Sequence, residues 1–495
     1  MRIIIVGLGR EGWSSFQFLL ACLPPDTTFD LVDDQLRSNL GSNWQSTETN
    51  KQVVDQQIRF WTTKEFLGEQ IVLDQKNTIA VISPGIPPAH PLVEWLNRST
   101  IQSTSNTQLF LDITMNVTLS SLRSDGSMNV TLSLSKGDIS QYLPHLTNSP
   151  IVIGITGTKG KSTTATAIHH LLQHAGFSTY LGGNIGVPPL DLVKSLQTNS
   201  HAKTYVVLEL SSHQLARLTT SPNIAVIMAV TPEHLDYYPD FASYQNAKAN
   251  ICRFQTEGDL TIFNSDNQAS AQIAQLSPGK KLSISQKNSV ADAHLTNDQL
   301  ICQNQLVIAT SQLKLVGQHS YFNLLPSVLI SSHLGVAPQQ IREGLATFTG
   351  LPHRLQLVAE HHGIKYYNDS LATTPEATIA AIQAFSGRPI ILIAGGFDRG
   401  LDYTQLAQVI DESSVKTALL LPTTGENIAN HLSKIAQSDL LVEQVPNLMV
   451  AVERAKQLIQ PGDVVLLSPA SASFNQFKDY AERGETFARL VKGSS

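Results

Sequence analysis

The run Ile151-Val152-Ile153-Gly154-Ile155-Thr156-Gly157-Thr158-Lys159-Gly160-Lys161-Ser162-Thr163 concentrates more potential chemistry than any other stretch of the chain. An apolar stretch leads into a glycine-rich turn and then a helical pattern that puts Ile168, Leu171, Leu172 and Ala175 on one face. Glycines let backbone N–H groups close around phosphate oxygens, and the helix start adds its positive dipole end. Gly157, Thr158, Lys159, Gly160 and Thr163 then form the cradle, Lys161 reaches the β- and γ-phosphates, and Ser162 offers its hydroxyl to magnesium. The spacing departs from the usual phosphate-loop pattern by one residue, because the leading position falls on Ile155 while the glycine is Gly154. A strand–helix turn that merely contains Gly-Lys-Ser is the structural alternative. Further along, Glu209 in Val206-Val207-Leu208-Glu209 and His234 in Thr231-Pro232-Glu233-His234 each follow an apolar strand. Both therefore emerge at the carboxyl edge of the same parallel sheet, where a carboxylate oxygen and an imidazole nitrogen could hold magnesium beside phosphates.

Near the start, Gly7-Leu8-Gly9-Arg10-Glu11-Gly12 matches G-x-G-x-x-G after a short apolar strand, and Asp33 and Asp34 close the strand-like Phe29–Val32. Taken alone, that pattern suggests a dinucleotide-dependent oxidoreductase. A second phosphate loop and a third domain have no use in a simple dehydrogenase. A non-catalytic nucleotide-binding or scaffold protein is a third reading, opposed by the complete set Lys161, Glu209 and His234.

The elements that must position these residues are apolar runs rich in Ile and Val at Ile3–Val6, Ile151–Ile155, Tyr205–Leu208, Ile224–Val230, Ile390–Ala394 and Val464–Leu467. Several precede a glycine or polar turn and a helical pattern, a rhythm that predicts an α/β fold with mostly parallel sheets. Between Thr114 and Ser149 the chain is dense in Ser, Thr and Asn and repeats Met-Asn-Val-Thr-Leu-Ser at 115–120 and 128–133. The copies could pair as a hairpin or form a flexible insert. A second boundary falls near Gly350-Leu351-Pro352, before the strand-like Leu355–Ala359. The expected organisation is an N-terminal domain over 1–113, an insert over 114–149, a central domain over 150–350 and a C-terminal domain over 351–495.

Composition agrees with a multidomain enzyme. The chain has 495 residues, 42% hydrophobic and 15% charged, too long for one ordinary core. A net charge of -6, from 34 Lys plus Arg against 40 Asp plus Glu, supplies no basic field for nucleic acid. Cys22, Cys252 and Cys302 lie too far apart for a disulfide framework or a paired metal-ligand pattern, so they read as reduced thiols. The first residues suit a buried strand rather than a signal peptide, and no segment is long and apolar enough to span a bilayer, so the cytoplasm is the expected compartment. Sequons at Asn97, Asn116 and Asn129 read as accidents of a Ser/Thr-rich region.

The ordered set Gly157–Thr163, Gly182-Gly183-Asn184-Ile185-Gly186, Leu208–Ser212, Glu233–Asp236, Tyr244–Lys248, Gly317-Gln318-His319, Leu351–Arg354, Asn368-Asp369-Ser370 and Ser468–Ser473 resembles the Mur ligase family over nearly the whole chain. Within it, Gly395–Gly400 and Ser468–Phe487 are most similar to the glutamate-adding MurD branch. The resemblance implies three domains: a Rossmann-like N-terminal domain for a uridine nucleotide, a central P-loop-type ATPase domain, and a Rossmann-like C-terminal domain that closes over the site. It implies an ATP- and Mg2+-dependent ligase that joins glutamate to UDP-N-acetylmuramoyl-L-alanine through an acyl phosphate, acting as a monomer. By the same resemblance the loop with Gly9 and Arg10 cradles the UDP diphosphate beside Asp33, and Ser83-Pro84-Gly85 forms another wall. Asn184 contacts the muramoyl nucleotide. Ser162, Glu209, His234 and a carbamylated Lys248 hold metal, whereas the residues alone would make Lys248 a solvated helix position. Asn323, Arg354 and Asp369 hold ATP, and Thr373, Ser473 and Tyr480 surround glutamate. One departure stands out: Leu371 occupies a position where MurD proteins commonly carry lysine. Arg399 could supply the missing charge, with D-glutamate as the default acceptor and L-glutamate as the alternative. The other histidines, including His169-His170 and His361-His362, are read as surface or packing residues.

Overall fold

Ile3 and Ile5 of strand β1 (Arg2–Val6) enter one hydrophobic core while Ile4 and Val6 enter another, so this strand is covered on both faces. A sequence of consecutive β-branched residues suits that position, since a parallel sheet flanked by helices leaves no solvent face. β1 pairs in parallel with β2 (Thr28–Val32) and β4 (Thr78–Ile82), and β3 (Ile58–Trp61) and β5 (Gln102–Thr104) complete the order β3-β2-β1-β4-β5. The chain leaves β1 in opposite directions on its two sides, so a crevice opens at the carboxyl ends of β1 and β4. This computed structural model describes all residues except 36–57, 70–72, 116–142, 145, 147, 200–202, 436–439 and 494–495. The repeated segment between Thr114 and Ser149, with Asn116 and Asn129, lies largely outside the described residues.

The second sheet is built around β6 (Ile151–Thr156), with β8 (Thr204–Glu209) and β7 (Ser178–Gly183) on one side and β9 (Ile224–Ile227), β10 (Leu260–Asn264) and β11 (Lys280–Ser285) on the other, all parallel. β12 (Ala293–Thr296) pairs with the end of β11. β9 ends three residues earlier than its apolar run, which extends to Val230. After Met228 N donates to Thr156 O, the chain turns under the glycine loop, where Thr158 N donates to Ala229 O at 2.7 Å.

The described chain divides into two compact units, Met1–His294 with Pro326–Gly335 and Leu295–Leu325 with Val336–Ser495. In the first unit a single apolar cluster runs from Phe16, Phe29 and Phe110 to Leu190 and Leu215, joining the two sheets. Asn106, 1% exposed, sits in that seam, with Nδ2 on Glu11 O, Ser14 Oγ and Ser15 Oγ and with Oδ1 accepting from Leu190 N. A buried amide with its donors and acceptor used in this way fixes one arrangement of the two layers. The second unit contains a hairpin, β13 (Gln299–Cys302) with β14 (Gln305–Ala309). Its main sheet has the order β15-β16-β20-β17-β18-β19, formed by β15 (Gln356–His361), β16 (Ile364–Asn368), β17 (Ile390–Gly395), β18 (Val415–Leu421), β19 (Leu441–Gln444) and β20 (Val464–Leu467). Only β15 runs antiparallel to its neighbour in that sheet. None of the three cysteines is in a disulfide, and among the described residues no helix is long and apolar enough to cross a membrane.

Candidate active site

At the end of β6 the backbone takes a path that only glycine accepts. Gly157 has φ +151°, and a Cβ there would lie 2.7 Å from Met228 Cβ and 3.2 Å from Ala229 O. Gly160, at φ +89°, caps the helix α1 (Lys161–His174) without any side-chain hydrogen bond, so the first N–H groups of that helix face the loop. Gly154 has a different duty: a Cβ there would be 2.6 Å from Pro222 Cγ, which makes it a packing glycine inside β6. This explains the one-residue departure from the usual pattern. Thr158 pins the loop, donating to Thr231 O at 3.0 Å, accepting from Thr231 N at 2.9 Å and lying 3.1 Å from the Tyr244 hydroxyl. Lys161 folds back so that Nζ donates to Gly157 O and Thr158 O, both at 3.0 Å. Lys159 is exposed, while Ser162 and Thr163 lie in the first helical turn.

Glu209 ends the neighbouring strand β8 and is 2% exposed. Its Oε1 accepts from Asn184 Nδ2 at 2.8 Å, and its Oε2 is buried with no hydrogen-bond partner among the described residues. An orphaned buried carboxylate oxygen is costly unless a cation or donor completes it. Lys248, in the last turn of helix 241–249, is 1% exposed, which corrects the expectation of a solvated residue. Its Nζ donates to Gly157 O at 2.9 Å and to Thr156 Oγ1 at 3.4 Å, and stands 4.6 Å from the Tyr244 ring centre. Burial, then the nearby Lys161, pushes the ammonium down to about 7, with Glu233 and Glu209 opposing. His234, at φ +56°, is about half exposed, with Nε2 3.7 Å from Glu233 Oε2. Its ring meets His213 edge-on at 4.9 Å, and burial followed by His234 and Lys248 pushes the His213 imidazole down.

Among the described residues no three His, Cys, Asp or Glu side chains form a preassembled metal cluster. The oxygen donors at this edge, Glu209 Oε2 and the Ser162 hydroxyl, nevertheless match the oxygen preference of magnesium.

The crevice of the first sheet is a cleft of about 450 Å³. Gly9, Arg10, Asp33, Ser83, Pro84 and Gly85, all expected to bind substrate, line it together. Ser83 Oγ donates to Gly7 O at 2.6 Å, and Asp33 Oδ2 accepts from Leu8 N at 2.6 Å, so the two walls hold the glycine turn between them. Gly12 is required here because a Cβ would lie 1.8 Å from Gly7 O. Arg10 reaches across to the second sheet, donating to Asn184 O at 3.1 Å and Gly186 O at 2.9 Å. Tyr237, three residues after His234, donates to Pro84 O and Ile86 O at 3.3 and 3.2 Å. The cleft and the Glu209 edge thus share direct hydrogen bonds within one unit.

In the second unit Asp369 is 4% exposed and accepts from Ser468 Oγ at 2.8 Å and Leu355 N at 3.0 Å. Burial outweighs those bonds and the neighbouring Arg354, raising its carboxyl to about 7. Asn323 caps the short helix 318–322 in the same unit. Thr373 follows β16, Arg399 is exposed after β17, and Ser473, 3% exposed, follows β20. These loops are knitted together by Phe397 N to Ala472 O at 2.8 Å, and by Ser370 Oγ to Tyr480 O at 2.8 Å.

Residues 155–331 match the Mur ligase middle domain and residues 353–471 match the Mur ligase, glutamate ligase domain. The chain is 33% identical over 492 residues, 99% of its length and 97% of the other, to a UDP-N-acetylmuramoylalanine–D-glutamate ligase of Geobacillus kaustophilus. The chain belongs to the Mur ligase family. It is 37% identical to the protein of the same description from Acetivibrio thermocellus, over 69% of this chain and 74% of that one. Among solved structures, UDP-N-acetylmuramate-alanine ligase MurC from Thermotoga maritima covers 100% of this chain and 99% of its own, at 15% identity and a TM-score of 0.52. That likeness concerns the three-domain α/β fold alone. As a Mur ligase the chain is an ATP-dependent, amide-forming enzyme.

Sequence reasoning assigned no role in this Mur ligase to Gln214, His213, Tyr237 or Arg483. Arg483 is 1% exposed and donates from Nε to Ser370 Oγ and from its two terminal nitrogens to Ser370 O, Ser471 O and Ala472 O, at 2.9 to 3.2 Å. Its place in Phe477–Gly484, a motif otherwise suited to a solvated helix start, is the only local signal that could have found it.

Proposed function

We propose that this ligase joins D-glutamate to UDP-N-acetylmuramoyl-L-alanine with hydrolysis of ATP to ADP and phosphate, in the cytoplasm, as a step of peptidoglycan precursor synthesis. What supports the reading is the 33% identity over 99% of the chain to a UDP-N-acetylmuramoylalanine–D-glutamate ligase, in a molecule whose glycine loop, Glu209 and Lys248 share one sheet edge.

In this reading Gly9, Arg10, Asp33, Ser83, Pro84 and Gly85 bind the UDP portion, and Asn184 holds the muramoyl portion. The loop from Gly157 to Thr163 cradles the phosphates of ATP, and the family resemblance also assigns Asn323, Arg354 and Asp369 to nucleotide binding. The alanyl carboxylate is a poor electrophile until one oxygen becomes a good leaving group. It attacks the γ-phosphorus, the bond to the β-phosphate oxygen breaks, and an acyl phosphate and ADP result. Lys161 stabilises the charge that develops on the transferred phosphoryl group. The glutamate amine, held by Thr373, Arg399, Ser473 and Tyr480, then attacks the acyl carbon, phosphate leaves with its oxygen, and the amine gives up its proton.

Magnesium, when bound, neutralises phosphate charge and fixes the geometry of transfer. Ser162, Glu209 and His234 would hold magnesium ions in this reading, His234 the second of them, and Lys248 would help hold that second ion once its neutral amine has added carbon dioxide and released a proton to give a carbamate. Burial supports that conversion, because an amine pushed down to about 7 is substantially neutral at physiological pH.

Leu371 favours a second reading of the acceptor, L-glutamate, since leucine offers no charge to a carboxylate. The test is phosphate release and product mass with ATP, magnesium and UDP-N-acetylmuramoyl-L-alanine, comparing D-glutamate, L-glutamate, L-alanine and no amine. An adduct with D-glutamate alone supports the first reading, and one with L-glutamate alone supports the second. No adduct with any amine overturns both.

A further inference from the structure

Glu11 is a carboxyl group that none of the steps above uses. It is the second residue of helix 10–22 and lines the cleft of the first sheet. Its Oε1 accepts from Gln214 Nε2 at 2.6 Å, and its Oε2 is buried with no hydrogen-bond partner among the described residues. Gln214 in turn forms a capping box with Ser211, two residues beyond Glu209. A carboxylate in such a place is a buried charge short of donors, whereas a carboxylic acid leaves only one proton to place.

Groups of both signs surround it. Asp33 and Asp34, which follow β2, and His90, which caps helix 91–98, line the same cleft. Asp191, from the turn 189–192, accepts from Ser14 Oγ one turn along Glu11's own helix. Arg10 is the adjacent cation, and its guanidinium is engaged on the Asn184 and Gly186 carbonyls.

We propose that Glu11 takes up a proton when a nucleoside diphosphate ester occupies this cleft, so that ligand binding and protonation of this one carboxyl are linked. The proposal rests on the reading that the cleft receives the UDP portion of the substrate. Burial lifts the Glu11 carboxyl to about 7, against the bond from Gln214 and the attraction of Arg10. Diphosphate charge in the same cleft lifts it further, because like charge disfavours the ionised form. The sign follows from linkage: the ligand favours the protonated form, so its Kd is flat below about pH 7 and rises with pH until the bound-state pKa is passed.

The experiment is isothermal titration of UDP-N-acetylmuramoyl-L-alanine, whose diphosphate diester has no ionisation near neutrality, into the full chain and its Glu11→Gln variant. Measurements at pH 7 in two buffers of different ionisation enthalpy give the proton count, and repeats at pH 6 and 8 give the Kd profile. The native chain should take up roughly half a proton per ligand at pH 7, with Kd rising about three- to tenfold from pH 7 to 8. In Glu11→Gln, both the uptake and the pH dependence should disappear. A native Kd that is flat from pH 6 to 8 with no uptake overturns the proposal, as does equal uptake in Glu11→Gln. Should Glu11→Gln not fold, His90→Asn decides: uptake that persists supports Glu11, and uptake that vanishes assigns the proton to His90. No binding heat from the native chain overturns the reading of the cleft, and this proposal with it.

Discussion

Replacing Arg483 by methionine, which keeps much of the side-chain volume, should destabilise the second unit by roughly 3 kcal/mol, a figure that follows from two opposing effects. The guanidinium makes four hydrogen bonds to uncharged acceptors on Ser370, Ser471 and Ala472. At the low end of the range for a charged donor, about 1.5 kcal/mol each, these contribute about 6 kcal/mol. Against this, burial pushes the Arg483 guanidinium down to about 10, a desolvation cost of roughly 3 kcal/mol that methionine removes. The bonds win, and three buried carbonyls lose a donor in the variant. For a unit of about 200 residues the difference corresponds to roughly 6–12 °C in unfolding temperature. The assay is differential scanning calorimetry of the full chain, paired with amide hydrogen exchange of Ser370–Thr373 and Ser471–Ser473. Exchange should accelerate in both loops of Arg483→Met and recover in part in Arg483→Lys, whose ammonium keeps three donors. A transition within 1 °C of native, with unchanged exchange in both loops, would show that desolvation cancels the bonds.

Gly157→Ala forces a Cβ to 2.7 Å from Met228 Cβ at φ +151°, and should cost roughly 2–4 kcal/mol while abolishing ATP-dependent phosphate release. A folded Gly157→Ala chain with native turnover would show that the loop tolerates a side chain. Glu209→Gln removes the charge behind the orphaned Oε2 but keeps an acceptor for Asn184; it should raise the magnesium concentration needed for half-maximal turnover at least tenfold, and an unchanged magnesium titration counts against Glu209 as a ligand. Asp369, raised by burial to about 7, takes up a proton on folding, so the stability it confers is complete below its ordinary pKa of 3.8 and is lost as pH rises through about 7. Thermal midpoints of Asp369→Asn and the native chain should therefore diverge in favour of the variant between pH 5 and 8, and parallel profiles would contradict that assignment.

Much of the site was legible in short-range pattern. The glycine turn after β6, the carboxylate ending β8 and the histidine beyond β9 are read from apolar runs followed by polar residues, because a buried parallel strand must be apolar and its carboxyl end must turn. Gly9, Arg10 and Asp33 follow the same logic, lying in a glycine turn or just past a strand, whereas Ser83, Pro84 and Gly85 came only from the family resemblance. What the pattern overran was the end of β9: residues 228–230 are as apolar as a strand, yet they leave the ladder to pass beneath Gly157, and their hydrophobicity serves packing under the loop.

Neighbouring residues were enough to set the class of fold and the places where phosphate and metal chemistry could occur, since hydrophobic periodicity and glycine spacing are local properties. The electrostatic state of the groups put there depends on the packed fold. Lys248, Glu11, Asp369 and Arg483 look like ordinary charged residues in the chain, and all four are strongly shifted by burial. Burial is created by segments far away in sequence, as when Gly157, 91 residues before Lys248, supplies its acceptor, or Ser370, 113 residues before Arg483, supplies two. A desolvated charge is a property of everything packed around it, and that environment exists only once the sheets have brought distant residues together.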